Sequence, residues 1–262
     1  DILGFDVKNT MFTASAEELA KTSISQPVIF TMSLLCAKKY TDEGGSFDAV
    51  AGHSLGEYTA MVCAGVVDMT TGFELIKKRA MCMEKAAQKN GGKMAAVLSP
   101  DVSLIENVCA EVTEAGDYVV PVNYNSLQQT VIAGSEAGIA KASEKLTAAG
   151  VKRVVPLAVA AAFHSQYMKE AADEFGSLIS SVKFNTPEKA FYSNVTGGRL
   201  TDFSGMAELL AKHICSPVLF TKELAAMNGD GITVFTECGP GKTLTGLVKK
   251  TLTDVTAAAS DV

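Results

Sequence analysis

The sequence is short of several things, and each shortage excludes something. No apolar run is long enough to cross a bilayer. The longest, Val154 to Phe163, falls well short of the about 20 residues a spanning helix needs. Positive charge is in deficit, with 23 Lys and Arg against 29 Asp and Glu, a net charge of -6 and a pI of about 5.2. That balance argues against nucleic acid and against anionic membrane surfaces as partners. No two of the six cysteines, Cys36, Cys63, Cys82, Cys109, Cys215 and Cys238, form a C-x-x-C pair. Most lie in apolar stretches, so they read as reduced, buried thiols of a reducing compartment. No internal repeat, low-complexity linker, signal or transit segment stands out. The first residue is Asp1 rather than Met, and the expectation is that something upstream is missing. Histidine is scarce, with three in the chain, which narrows any search for a catalytic base.

What is present is an ordinary globular composition. The 262 residues, 47% hydrophobic and 20% charged, suffice for one large domain or two modest ones. Ser15 to Glu18 reads as a capping box, Gln26 to Tyr40 as a helix, and Thr71 to Glu74 as a second capping box opening a helix that runs to about Gln88. The pattern then changes. Strand Met94–Leu98, helix Asp101–Val112, strands Tyr118–Tyr124 and Thr130–Ala133, helix Glu136–Ala149 and strand Arg153–Val159 give the order βαββαβ. That is the ferredoxin-like split motif, here as an inserted subdomain over 93–161, with a large subdomain over 1–92 and 162–262. After it, strands and helices alternate again: helix Gln166–Ser181, strand Ala190–Ser193, helices Gly205–Ile214 and Thr221–Met227, strand Ile232–Thr236 and a helix from Thr243. The fold class is α/β with a mainly parallel sheet in the large part.

The chain is organised around Gly52-His53-Ser54-Leu55-Gly56, a match to G-x-S-x-G. A short apolar lead, Ala49 to Ala51, reads as a strand, and a helical stretch follows Ser54. In that context the serine sits on a sharp strand-to-helix turn with its hydroxyl exposed. The new helix points its N-terminus at Ser54, so the amide of Leu55 and the helix dipole favour a developing oxyanion.

A serine nucleophile needs a base. His53 adjoins Ser54 and should point away from it. His213 lies in a helix, where packing or capping is the plainer reading. His164 stands where the last subdomain strand gives way to a helix, a common home for catalytic groups. It is read either as structural or as the base, since a neutral imidazole can take the serine proton near neutral pH. No Asp or Glu after His164 is placed to orient it, so a Ser-His dyad fits better than a triad, with a backbone carbonyl on the other ring nitrogen.

Arg79 shares the apolar side of its helix with Phe73, Ile76, Ala80 and Met83. A charge there needs a partner. One reading is an internal salt bridge or a snorkelling side chain. The other is a bidentate clamp for a substrate carboxylate, with Met83 one turn on among the substrate-binding candidates. Thr236 to Thr243, T-E-C-G-P-G-K-T, mimics a phosphate loop, but Thr236 replaces the first glycine and Pro240 removes an amide, so a plain strand-to-helix turn is favoured.

Six stretches in order carry a resemblance: Gly52 to Glu57, Arg79 in K-K-R-A-M-C-M, Asn123 to Ser126, Phe163-His164-Ser165, Ser193 to Gly197, and Glu237 to Gly246. Together they resemble the malonyl-CoA:acyl carrier protein transacylases, relatives of the acyltransferase domains of polyketide and type I fatty acid synthases. The resemblance covers essentially the whole chain. It implies an α/β-hydrolase-like large subdomain with the ferredoxin-like one, and the site between them. It also implies Ser54 as the acylated nucleophile and His164 as its base. Leu55 then supplies one oxyanion amide, Arg79 holds the malonyl carboxylate, and Asn125 lies near the acyl group. Phe163 leaves little room for an α-methyl, and the backbone carbonyl of His213 orients the base where the family usually has Gln. Malonyl-CoA and acyl carrier protein are the implied partners, in ping-pong transfer with no cofactor, since the CoA thioester is a substrate. A monomer is expected, in bacterial cytoplasm or the plastid or mitochondrial matrix. Lys152-Arg153, Lys242 and Lys249-Lys250 are candidates for docking the acidic carrier, or simply solvated charges.

Three departures accompany the resemblance. The family opens with a strand and an F-P-G-Q-G turn whose Gln amide is the second oxyanion donor, and this sequence starts downstream of it. A lost oxyanion donor costs about 100- to 1,000-fold in turnover. Ala80 stands where Gly commonly follows the arginine, and Ala158 to Ala162 is alanine-rich. Two other functions stay open: a serine thioesterase or esterase on the same elbow, and an inactive, truncated carrier-binding domain.

Overall fold

The structure is a computed structural model and describes residues 2–159 and 161–260. Ala160, in the alanine-rich stretch, lies outside the described residues. In chain order the helices are α1 (Val7–Thr13), α2 (Ala16–Leu19), α3 (Thr22–Asp42), α4 (Gly56–Cys63), α5 (Met69–Asn90), α6 (Val102–Glu114), α7 (Glu136–Ala148), α8 (Lys169–Ile179), α9 (Met206–Ile214), α10 (Phe220–Gly229) and α11 (Thr243–Thr251). The strands are β1 (Ala49–Val50), β2 (Lys93–Leu98), β3 (Val119–Ser126), β4 (Gln129–Gly134), β5 (Arg153–Pro156), β6 (Ala190–Ser193), β7 (Gly198–Leu200), β8 (Val234–Glu237) and β9 (Thr256–Ala259).

The middle of the chain forms a four-stranded antiparallel sheet in the order β3-β4-β2-β5, with α6 and α7 as its crossovers. This is the strand order of a ferredoxin-like unit. Its own core sets Ala95, Val97 and Ile132 of the sheet against Ile105, Val112 and Leu146 of the helices. The rest of the chain carries two smaller sheets. β1 pairs parallel with β6 and β6 antiparallel with β7, while β8 and β9 form a separate parallel pair. The parallel pairings are those expected of an α/β chain. β7 adds an antiparallel hairpin that the sequence reading did not contain. Between β1 and β8 lies a cavity of about 610 Å³, lined among others by Ala49, Gly52, Phe235 and Leu244.

The main core lies among α3, α4, α5, α8 and α9, around Phe30, Tyr58, Met61, Leu75, Phe175 and Ile214. α5 shows why it packs there: Leu75, Ile76, Arg79, Ala80, Met83 and Ala86 recur at three- and four-residue spacing and are all buried. The expected capping box at Thr71 is displaced. Asp68 is the N-cap and accepts from the Thr71 amide at 2.7 Å, so the cap of α5 stands three residues earlier. Ala80 is fully buried, and its methyl is accommodated.

The two parts meet where β3 runs past its own sheet. Val218 N donates to Val122 O at 2.8 Å and Tyr124 N to Val218 O at 2.9 Å. This stitching carries Asn125, at the end of β3, to the turn after β1.

Candidate active site

β1 leads into a turn with no room to spare. A Cβ on Gly52 would lie 2.0 Å from the Gly56 carbonyl carbon and 2.2 Å from the Glu57 amide, so the position demands glycine. Ser54 takes φ +53°, a left-handed conformation that costs an ordinary residue about 1–3 kcal/mol. Leu55 is the N-cap of α4, and its amide opens the helix directly after the serine. Only three non-glycine residues among those described have positive φ: Ser54, His164 (φ +60°) and Asp254. Two of the three are the expected nucleophile and base, 110 residues apart in sequence.

The structure brings them together. Ser54 Oγ lies 2.7 Å from His164 Nε2. The Nδ1 of His164 lies 3.0 Å from the His213 carbonyl oxygen, which can only accept. Nδ1 therefore carries the proton, and Nε2 presents its lone pair to the serine hydroxyl. Burial pushes the His164 pKa well below the ordinary histidine value. The nearby charges of His213 and Arg79 push it the same way, against the pull of the carbonyl hydrogen bond.

Arg79 completes the cluster. It is buried, with Nη2 donating to Ser54 Oγ at 2.9 Å and Nη1 to Gln26 Oε1 at 2.6 Å. Its guanidinium carbon lies 5.4 Å from the centre of the Tyr58 ring. Nε has no hydrogen-bond partner, and no carboxylate pairs with Arg79 among the described residues. The salt-bridge reading of Arg79 is therefore corrected. α5 holds the cation inside the protein beside the serine, with polar partners and, among the described residues, no carboxylate within ion-pairing distance, while the charge of Glu57 acts on it from farther off. Met83, four residues on, is buried and takes Gln26 Nε2 on its sulfur at 3.5 Å.

The other expected residues are placed as follows. His53 points away from the serine: its Nε2 lies 2.7 Å from Asn125 Oδ1, and Asn125 Nδ2 donates to Gln129 Oε1 at 2.9 Å. Phe163 is half-buried and packs against the cores of both parts, beside His164. The phosphate-loop mimic is filled from within. Glu237 accepts from the amides of Leu244 at 3.0 Å and Thr245 at 2.7 Å, occupying the start of α11 where a phosphate would sit. The large cavity is lined by His53 and Leu55 but not by Ser54, His164 or Arg79. No group of three or more His, Cys, Asp or Glu poised for a metal occurs among the described residues. Lys152, Arg153, Lys242, Lys249 and Lys250 are all exposed.

Four residues around the site carry no role in the sequence reading. Gln26 braces Arg79. Asn194 Oδ1 accepts from the Ser54 amide at 2.7 Å, and its Nδ2 donates to Gly52 O and to Glu223 Oε2, both at 2.6 Å. Glu57 accepts from the Asn194 amide at 2.6 Å. Glu223 shares the buried side of α10 with Phe220, Leu224 and Met227. A charge on an apolar face singles out Arg79, and Glu223 carries the same signal.

The chain aligns with known proteins over its full length. The family described as the acyl transferase domain matches residues 1–262. The chain belongs to that family. The malonyl CoA-acyl carrier protein transacylase of Escherichia coli K12 is 38% identical over 258 residues, 98% of this chain and 83% of the relative. Its Bacillus subtilis counterpart is 36% identical over 244 residues, 93% and 77%. Among solved structures, the acyl-carrier-protein S-malonyltransferase of Burkholderia pseudomallei 1710b superposes with a TM-score of 0.94 at 36% identity, covering 99% of this chain and 85% of that one. A malonyl-transacylase solved in complex with its type II PKS acyl-carrier protein gives 0.95 at 34% identity, covering 100% and 85%. As a family member, the chain is an acyltransferase of mixed α/β fold.

One consequence of the cluster concerns stability. Burial, and then the charge of Glu57, pushes the Glu223 carboxyl well above the ordinary carboxylate range, against the hydrogen bond from Asn194. The folded protein thus keeps a proton that the unfolded chain releases above about pH 4.5. The stability this group supports is full below that pH and is lost as pH rises, by about 1.4 kcal/mol per unit up to the folded pKa. Glu223→Gln keeps the acceptor for Asn194 and removes this dependence. Its melting temperature is expected to exceed that of the unsubstituted protein at pH 8, with the gain shrinking towards pH 5. An equal melting temperature at pH 8 would show that Glu223 is buried at no such cost.

Proposed function

We propose that this acyltransferase moves a malonyl group from malonyl-CoA to the phosphopantetheine thiol of acyl carrier protein, through malonyl-Ser54, in fatty acid biosynthesis. The names of the relatives support substrate and acceptor. The observation that carries the reading is Arg79, a buried guanidinium 2.9 Å from the nucleophile's oxygen, with no carboxylate within ion-pairing distance among the described residues. A thioester whose acyl group ends in a carboxylate supplies that anion. A simple esterase would leave the cation without a use.

In this reading the geometry supports the following steps. His164 Nε2 takes the Ser54 proton as Oγ attacks the thioester carbonyl, and the Leu55 amide and the start of α4 face the oxyanion. The carbon–sulfur bond then breaks, and CoA leaves as a thiol with the proton from His164. The carrier thiol enters, gives its proton to His164 and attacks the malonyl carbonyl. The Ser54 ester bond breaks, and Oγ recovers the proton. No cofactor takes part. Asn125 and Phe163 border the acyl group in this reading, with Phe163 crowding an α-methyl, and the catalytic cleft falls between 93–161 and the rest of the chain. The reading carries with it action as a monomer in a reducing compartment, away from membranes and nucleic acid.

Malonyl-Ser54, once formed, is expected to pass to holo-acyl carrier protein far faster than to water. Quantifying free malonate against malonyl-carrier in one reaction tests this, and malonate as the main product would make the chain a thioesterase. The base also sets a pH dependence. Because His164 is held neutral well below pH 6.5, single-turnover acylation should stay level from pH 8 to about pH 6.5 and fall only on further acidification. An acid limb centred at or above pH 6.5 would contradict the environment described for His164.

A further inference from the structure

Ser54 and His164 both hold left-handed backbone conformations, so neither keeps its place on local preference alone. Each is held by one other residue, and those two residues converge. Asn194 brackets the serine turn, accepting from the Ser54 amide at 2.7 Å and donating to Gly52 O at 2.6 Å. His213 presents the carbonyl that orients His164, at 3.0 Å. Between them stands Glu57, from the first turn of α4. Its Oε1 accepts from the Asn194 amide at 2.6 Å, and its Oε2 lies 2.9 Å from His213 Nδ1. The last contact is within ion-pairing distance without being aligned as a hydrogen bond.

We infer that Glu57 is a positioning residue that fixes nucleophile and base relative to each other, by tying the clamp on Ser54 to the residue that orients His164. The contacts close a ring: Ser54 to His164, His164 to His213, His213 to Glu57, Glu57 to Asn194, and Asn194 back to Ser54. Every member except the reactive serine is buried. A carboxylate so placed is costly unless its oxygens are engaged, and Glu57 sets one on the Asn194 amide and the other against His213. The start of α4, where it sits, favours its negative charge. Because all five of the ring's links join distant parts of the chain, a shift in Glu57 moves both reacting groups. An error of about 1 Å in such geometry costs about 100-fold in rate.

The inference rests on the reading of Ser54 and His164 as nucleophile and base, and the test separates the two. Two rates are measured on folded protein: the burst of Ser54 acylation by malonyl-CoA, and sulfonylation of Ser54 by phenylmethanesulfonyl fluoride, which offers no carboxylate to Arg79. Glu57→Gln keeps the volume and the acceptor for Asn194 but removes the charge facing His213. Both rates should fall together by about 10- to 100-fold, with half-saturation by malonyl-CoA within about twofold. His213→Leu keeps the backbone carbonyl but loses the contact with Glu57, and should lower both rates similarly. His213→Gln, which can donate to Glu57, should recover most of that loss. The Glu57→Gln/His213→Leu double variant should lose no more than the worse single one. The pair at position 213 keeps the test decisive if Glu57→Gln does not fold. Rates within twofold of the unsubstituted protein in Glu57→Gln, or equal losses with Leu and Gln at 213, would overturn the inference. An unsubstituted chain that takes neither label on Ser54 would instead overturn the reading of the dyad.

Discussion

Ser54→Ala is expected to lower malonyl transfer by about 10,000-fold or more, leaving the fold in place. Alanine keeps the Cβ and pays the same backbone cost at φ +53°, so the comparison isolates the hydroxyl. That hydroxyl is the one atom shared by His164 Nε2 at 2.7 Å and Arg79 Nη2 at 2.9 Å. Without it no acyl-enzyme forms, and the residual rate is that of bound thioester reacting directly with thiol. Removal of the nucleophile or the base of such a unit costs comparable amounts, because neither works alone. His164→Ala should therefore fall into the same range, and the double variant should be no worse. Transfer assays on the three proteins, with circular dichroism to confirm folding, check this. Activity within about tenfold of the unsubstituted chain in Ser54→Ala would remove the serine from the chemistry.

The second large effect is a change of preference rather than a loss. Arg79→Met should lower acylation by malonyl-CoA by about 100-fold or more, since stranding a buried carboxylate without its partner costs about 3 kcal/mol or more. Acylation by acetyl-CoA should fall far less. Acetyl offers no anion to the guanidinium, so in the unsubstituted protein Arg79 stays on the serine oxygen when acetyl-CoA binds. Stability should move the other way. Arg79 is buried against Gln26 and Tyr58 with no carboxylate in ion-pairing distance among the described residues, a cost the empty protein carries for the sake of its substrate. Methionine follows the same path through the core without the charge, so the melting temperature of the unliganded variant should rise. Equal losses on the two thioesters would show that Arg79 does not read the malonyl carboxylate.

Why Ser54, His164 and Arg79 stand out from the sequence alone is physical. A G-x-S-x-G between a strand and a helix leaves the serine few conformations. A chain with three histidines offers few bases, and a cation among Phe73, Ile76 and Met83 has to be explained. The βαββαβ order is legible because β2 to β5 and their helices alternate periods of two and 3.6 cleanly over a continuous stretch. The unread part has physical causes too. Asn194 reaches Gly52 and Ser54, and Glu57 reaches His213, across more than a hundred residues, and no local pattern encodes such a contact. β9, Thr-Ala-Ala-Ala, has little strand propensity of its own and exists through its pairing with β8. α1 buries no residue, so it has no apolar stripe to read. The start of α5 is misplaced because Asp68, a better cap than Thr71, stands just upstream.

The most direct test of malonyl transfer through Ser54 is the intact mass of the chain over time, first with malonyl-CoA and then after addition of holo-acyl carrier protein. One malonyl group should appear on the chain, localise to Ser54 on digestion, and move to the carrier while the chain returns to its starting mass. A folded chain that gains no malonyl group, or one that keeps it or releases it only as malonate when the carrier is added, would contradict the account.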